Sequence, residues 1–553
     1  MQRKELESAA KLSGSYYTPD KIADFLSNWG LGLDKETIRI LEPSCGDGAF
    51  IRSLHRVNEM KKHSNLTITG IEFNKIEANK AKNVATNIPL TIHGGDFFKY
   101  VQNNPLEFGH KYDLVLGNPP YIRYQNFEYG RDEAVELFNQ MDIITTKHAN
   151  AWLYFLGVSL SQMEAYSRIG MVIPAEILHI DYASGMRERL LKELDKVMII
   201  TFRELVFPNV QQEVVLLLGE KTSTNHEKSI SFIHLDNLDD LNEEVWTQNK
   251  FEHAPALETG QKWNRYYLNS DDLRTYELIM KSENIKIFDH IAEVGIGIVT
   301  GANAFFCIDE DTKRELGIKV GNNKGVQLLR LLGKSAEVPG LQFTKRDFKT
   351  SVKKGKGAFL LYFDEDFKRG NLSEKLSNYL TNGEDKSIHT GYKCSIREPW
   401  YVVPYVFQRE IGMFKRAGVY NKFIVNKIGA YSTDTIHRIA LRESSKQTAE
   451  QFSFAALNSL TLLSMELLGR NYGGGVLEMV PGEIKNLPIP EYRCTLHEFE
   501  HIDKLLRSDV NIEFALDYVD ERVLGSIPKR QRESLRASWK KLQERRVNRG
   551  KSK

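Results

Sequence analysis

TIRILEPSCGDGAF, residues 37–50, decides how the first third of the chain is read. Ile38–Leu41 is an apolar run of strand length, and Gly46 and Gly48 follow where the backbone must turn before the next helix. Glycine there permits a tight turn and a close approach by a ligand, where a nucleotide-like group would meet the helix. Strand-length runs recur at Thr67–Glu72, Leu90–His93, Tyr112–Gly117, Ile169–Ile173, Val197–Phe202 and Val214–Leu218. Helical composition fills Asn74–Thr86 and Ser184–Leu194 between them. Strands separated by helices imply βαβ units, hence an α/β fold built on a mostly parallel sheet.

The turn favours one ligand class over another. Glu72 ends the second strand, 24 residues after Gly48, where an acidic side chain is suited to hold ribose hydroxyls. The dinucleotide fingerprint GxGxxG is incomplete, because no glycine stands three residues after Gly48. A ligand with no pyrophosphate, such as S-adenosylmethionine, therefore fits better than NAD. After the third strand, Asp96 is placed to accept a hydrogen bond from an adenine amino group while Phe97 packs against the ring.

The fourth strand ends in DLVLGNPPY, residues 113–121. Two prolines have no N–H and a fixed φ, so the turn is stiff and its carbonyls stay outside the sheet. An exocyclic amino group on a base is a poor nucleophile, its lone pair being delocalised into the ring. Acceptors on both of its hydrogens, the Asn118 side-chain oxygen and the Pro119 carbonyl, would hold the nitrogen nearer tetrahedral geometry and free that pair for a methyl donor. Tyr121 offers a face for stacking, and no strong general base is required.

An amphipathic helix precedes the sheet. In SYYTPDKIADFLSNWG, residues 15–30, Thr18 is placed to N-cap with Pro19 at the first helical position, and Ile22, Phe25, Leu26 and Trp29 share one face. With 553 residues the chain is too long for one core. The polar stretch after Glu220 divides it into domains at 1–224 and 225–525, the second of mixed α/β type, with a basic helix or tail at 526–553. Residues 528–553 carry 11 Lys or Arg against two Glu, weak support for a polyanionic partner, since such runs are commonly solvated. Four dispersed cysteines without CxxC spacing suit reduced thiols and point to no metal site. No apolar run approaches the ~20 residues that span a bilayer, so a cytoplasmic protein is expected.

In order, SYYTPDKI, LEPSCGDGAF, IEFN, GGDFF, DLVLGNPPY, RIGMVIPAEIL and VFPNVQQEVVLLL resemble the successive motifs of the gamma class of amino-methylating DNA methyltransferases. These are the N6-adenine enzymes of type II restriction–modification systems. The resemblance covers about residues 13–220 and implies a Rossmann-like, seven-stranded methyltransferase sheet. It places Tyr16, Thr18 and Pro19 near the methionine end of S-adenosylmethionine, with Glu42, Gly46 and Gly48. Glu72 and Phe73 would lie at the ribose and beyond it, Asp96 and Phe97 at the adenine. Asn118, Pro119, Pro120 and Tyr121 would form the active-site turn, and Phe207 the second aromatic wall of a base flipped out of duplex DNA. Downstream, EVGIGIVTGANAFF, REPWYVVP and NYGGGVLEMVPGEIKNLPIP are similar to segments of the target-recognition domain of these enzymes, although tight turns and core packing would also account for them.

Other acceptors keep the fold: cytosine N4, RNA, or a protein glutamine. More than 300 residues after the sheet favour a DNA-reading enzyme among these. A C5-cytosine mechanism needs a nucleophilic cysteine, and no Pro-Cys dipeptide is present. A DNA-binding relative with a vestigial catalytic half is a further reading, opposed by the complete NPPY and by Glu42, Glu72 and Asp96. The short stretch ahead of the first motif and the lack of a downstream PD…(D/E)xK set lead us to expect a separate cognate nuclease, and a monomer acting on DNA.

Overall fold

β1 (Thr37–Glu42) is buried at four of its six positions, and its parallel neighbour β4 (Tyr112–Gly117) at all six. That explains the apolar run Leu114–Leu116 of β4, since a central parallel strand is covered on both faces, while the buried Asp113 is paired with Lys35 and Arg39. In a computed structural model, the described residues are 17–63, 65–104, 112–146, 148–207, 212–222, 228–247, 252–254, 262–323, 326–363, 372–472, 474–508 and 511–548. They form two compact units, the first running to Ser270 and the second from Asp271 to Asn548.

The first unit is built on a nine-stranded sheet of order β3-β2-β1-β4-β5-β7-β6-β8-β9. Besides β1 and β4 its strands are β2 (Asn65–Glu72), β3 (Leu90–Gly94), β5 (Met163–Pro174), β6 (Lys196–Phe202), β7 (Val214–Lys221), β8 (Ser229–Leu235) and β9 (Glu252–Ala254). β1 to β5 run parallel. β7 is antiparallel between β5 and β6, and β9 is antiparallel on β8. All seven expected strands are present, and β8 and β9 extend the sheet beyond the seven expected. The expected boundary at 224/225 is not one: β8 pairs with β6 along seven residues, so the polar stretch after Glu220 separates two strands of one sheet.

Helix α1 (Asp20–Gly30) buries Ile22, Phe25, Leu26 and Trp29, the face read from the sequence. Large apolar side chains contribute about 1.5–3 kcal/mol each on burial. That packing, more than propensity, holds an 11-residue helix that alone would be marginal. Its N-cap is Pro19, whose carbonyl accepts from the N–H of Ile22 and Ala23, and not Thr18. Helices α2 (Ala49–Lys61), α3 (Lys75–Lys82) and α4 (Phe97–Asn103) follow β1, β2 and β3, and α5 (Arg131–Gln140) and α6 (Ala151–Ser161) follow β4.

The second unit contains small sheets with helices. One five-stranded sheet has the order 292–295, 436–441, 411–414, 423–426, 342–343. The core of the second unit takes up two of the segments noted above: Phe305 and Phe306 are buried in it, as is Tyr401, and Trp400 packs beside Tyr401, its indole N–H donating to Glu384. Gly474 and Gly475 have φ of 79° and 75°, a left-handed turn that needs glycine. The basic segment is no appended tail: Lys529–Val547 is a 19-residue helix of this unit with Leu535, Trp539 and Leu542 buried. No helix among the described residues is long and apolar enough to cross a membrane.

Candidate active site

The strand order reverses between β1 and β4, and a parallel sheet opens a crevice at such a point, beyond the carboxyl ends of the strands. Glu42 and the glycine turn leave β1 there, and Asn118 leaves β4. Gly46 has φ +51° and Gly48 φ +87°, both in the left-handed region. They differ in surroundings. A Cβ on Gly46 would meet nothing within 4 Å, whereas one on Gly48 would lie 2.8 Å from Val84. Gly46 thus borders open space that a ligand can enter, and Gly48 lets α2 pack against the chain after α3.

Glu72 ties this turn to β2. Its carboxylate accepts from the N–H of Gly46 at 2.8 Å and of Asn74 at 2.7 Å. Burial pushes its carboxyl above the usual range, against the pull of those donors. A carboxylate has about four acceptor sites, so two backbone bonds orient Glu72 without exhausting its capacity for hydroxyls.

Glu42 is only 1% exposed, and its Oε2 has no hydrogen-bond partner among the described residues. Burial, then the charges of Glu72 and Asp47, raise its pKa well above the carboxylate range. A buried acid next to two more acids is a poor structural element and a good complement to a cation. The open space at Gly46 and the unmatched oxygen of Glu42 together fit a ligand with a positively charged end.

At the ends of β2 and β3, Asp96 caps α4, accepting from the Lys99 N–H at 3.0 Å. Burial raises its pKa, opposed by that bond. Phe97 is not the expected ring wall. It is 2% exposed and stacks on Phe155 at 5.5 Å within an aromatic core. The exposed rings here are Phe73 and Tyr129, 59% and 71% accessible, with centroids 5.8 Å apart. Gly130 brings Tyr129 to Asp96: a Cβ there would sit 2.2 Å from the Asp96 carboxylate.

The NPPY turn is held by side chains from three directions. The Asn118 amide donates to the Thr18 hydroxyl at 3.2 Å, and its oxygen accepts from the Tyr121 hydroxyl at 2.8 Å. That hydroxyl also lies 3.1 Å from the Val172 carbonyl on β5. Ser44, after β1, donates to the Asn118 backbone carbonyl at 3.3 Å. Pro119 is buried and Pro120 half-buried. Thr18 therefore acts on the NPPY turn and not on the helix end. Phe207 is buried in the core cluster against which Tyr121 packs, so its ring lies within the core rather than open to a base. Tyr16 lies outside the described residues.

The family of N-6 DNA methylases matches residues 3–296, more than half of the chain. The chain belongs to the N-6 DNA methylase family. It is an adenine-specific DNA methyltransferase. The C-terminal domain of the type II methyltransferase M.Eco57I matches residues 260–524, beginning close to the boundary at Ser270. Among curated relatives, this N-6 DNA methylase is 24% identical over 498 residues to the type II methyltransferase M.AccI of Acinetobacter calcoaceticus, covering 86% of this chain and 84% of that one. It is 23% identical over 330 residues to M.HindII of Haemophilus influenzae, covering 56% and 58%. In fold it is similar to the ATP-dependent Type ISP restriction-modification enzyme LlaBIII bound to DNA, with TM-score 0.50 and 12% identity over 89% of this chain and 39% of that one.

Asn150, not anticipated from sequence, anchors the segment just beyond the NPPY turn of this methylase. Its side-chain oxygen accepts from the Tyr124 N–H at 3.1 Å. Its amide donates to Tyr182 at 2.9 Å and to Glu176 at 3.3 Å, in the segment after β5. The sequence signal, an Asn just before an apolar helix, reads as an N-cap, yet no side-chain cap is made.

Proposed function

We propose that the protein transfers a methyl group from S-adenosyl-L-methionine to N6 of an adenine rotated out of duplex DNA, at one recognition site. The modification would shield that site from a cognate restriction endonuclease, a separate protein. The similarity of the chain to relatives named as type II methyltransferases supports this role. A chromosomal DNA substrate puts the work in the cytoplasm, at the nucleoid, and we take the enzyme to act as a monomer.

The observation that carries the mechanism is the Asn118 amide held between Thr18 and Tyr121 at the end of β4. An amide free to rotate would present NH₂ or oxygen to the base, but with NH₂ on Thr18 its oxygen is committed to accepting. An amide oxygen accepts two hydrogen bonds, so Tyr121 and an adenine amino hydrogen are compatible partners. The Pro119 carbonyl takes the second amino hydrogen. The nitrogen lone pair then stands out of the ring plane, and the fixed acceptors stabilise the positive charge that grows on it. Tyr121 stacks on the flipped adenine, contributing roughly 1–3 kcal/mol toward unstacking. Phe207 would become a second wall only if the base displaces part of the cluster around it.

S-adenosylmethionine, when bound, supplies an electrophilic methyl on a sulfonium. Glu42 would face its cationic methionine end, together with Thr18, Pro19 and the Gly46 turn. Glu72 would take the ribose, and Asp96 the adenine amino group, with Phe73 and Tyr129 against the ring. Asn118→Ala tests the reading: binding of S-adenosylmethionine is retained while methyl transfer to DNA falls by orders of magnitude. Undiminished transfer would refute it.

A further inference from the structure

The cations of the second unit are used unevenly. On helix Lys529–Val547, Arg546 is clamped by Glu466 at 2.9 and 2.7 Å, Arg536 by Asp520 at 2.8 Å, and Lys540 by Glu513 at 2.6 Å. Much of the charge of this most basic stretch thus goes into holding the domain together. Helix Lys345–Lys353 is the opposite case. Lys345, Arg346, Lys349 and Lys353 are exposed, and none has a carboxylate within 4.0 Å among the described residues.

Lys345, Lys349 and Lys353 recur every fourth residue, which puts them in one stripe. With Arg346 and Thr350 they line a shallow cleft of about 380 Å³. Local physics opposes the arrangement. Like charges at i, i+4 repel, and cations in a first turn oppose the helix dipole. A face kept only for solubility would interleave glutamate and gain by it. The helix is instead secured from its inner side. Thr344 and Asp347 form a capping box, and Arg507 donates to Asp347 at 2.7 and 3.1 Å. The outer stripe contributes nothing to that anchoring. A local conflict in an otherwise consistent domain marks a functional surface.

We propose that the stripe Lys345–Lys349–Lys353, with Arg346, binds the sugar–phosphate backbone of duplex DNA. This rests on duplex DNA being the substrate. Flexible cations on phosphates supply affinity and orientation, and carry no sequence information. The repulsion along the stripe is relieved when phosphates neutralise it.

The test uses the full chain and fluorescein-labelled duplexes of unrelated mixed sequence, with affinity measured by anisotropy from low to moderate salt. Each phosphate contact removed makes the slope of log K against log salt shallower by about 0.9. The triple variant Lys345→Gln, Lys349→Gln, Lys353→Gln is expected to lose about 2–3 in slope and roughly 10²-fold in affinity near 0.1 M salt, equally on every duplex. The triple Lys→Arg variant retains the wild-type slope. A triple Gln variant with wild-type slope and affinity overturns this inference and leaves the proposed function standing. A wild-type protein that binds no duplex at any salt overturns both.

Discussion

The Tyr121 hydroxyl donates to the Asn118 side-chain oxygen at 2.8 Å. In the proposed mechanism one residue would therefore both offer a ring for the base and orient the amide that receives its amino group. The two roles separate by substitution. Tyr121→Phe keeps the ring and loses the donor; a single hydrogen bond of this kind is worth about 0.5–1.5 kcal/mol, so kcat should fall up to about tenfold with cofactor affinity unchanged. Tyr121→Ala loses the stacking as well and should fall further.

Thr18 sets the other end of the same amide, 3.2 Å from its NH₂. Thr18→Val should lower kcat, while Thr18→Ser, which keeps the hydroxyl, restores it. A loss of thermal stability equal in both variants would point to a packing role instead.

The two glycines after β1 predict different defects. Both have left-handed φ, so alanine costs about 1–2 kcal/mol at either. At Gly48 the added Cβ also meets Val84 at 2.8 Å, and Gly48→Ala should lower the melting temperature more. At Gly46 the Cβ points into empty space, so Gly46→Ala should chiefly raise KM for S-adenosylmethionine. Melting curves beside KM values separate the two.

These contrasts mark how far the residues alone could be read. Period and strand length made β1 to β7 legible, because a central strand such as β4 is covered on both faces and is apolar along most of its length. Position after a strand made Gly46, Glu72, Asp96 and Asn118 legible. The surroundings of Phe97 and Phe207 were not legible for one reason: an aromatic beside a site motif has the same composition whether it faces ligand or core, and only packing decides. Tyr129 was missed because its neighbour Phe73 is 56 residues away in the chain. At the basic C-terminus a helix was legible but not the use of its charge, because sequence counts charges without their partners, and Glu466, Asp520 and Glu513 all come from other segments.

Glu42 predicts a pH effect. Burial, with Glu72 and Asp47 nearby, puts its folded pKa well above the unfolded value. The folded protein keeps this proton after the unfolded chain has lost it, so stability falls as pH rises from the ordinary carboxylate range toward the raised value, and is unaffected below that range. A cation bound at Glu42 favours its charged form, so affinity for S-adenosylmethionine should rise over the same window. In Glu42→Gln, melting of the ligand-free protein should lose this pH dependence, and affinity should fall.

Arg546 and Glu466 are 1% and 2% accessible at their side chains. Removing one partner of a buried pair leaves an uncompensated charge, at about 3–5 kcal/mol. Arg546→Ala should destabilise the second unit by that order in denaturant unfolding. A neutral result would mean the C-terminal helix is dispensable to the domain.

The most direct measurement is nucleoside mass spectrometry of mixed-sequence duplex DNA after incubation with purified protein and methyl-labelled S-adenosylmethionine, alongside the Asn118→Ala variant. The account predicts label in N6-methyladenine with wild type and nearly none with the variant. Label in cytosine, or equal label from the variant, would contradict it.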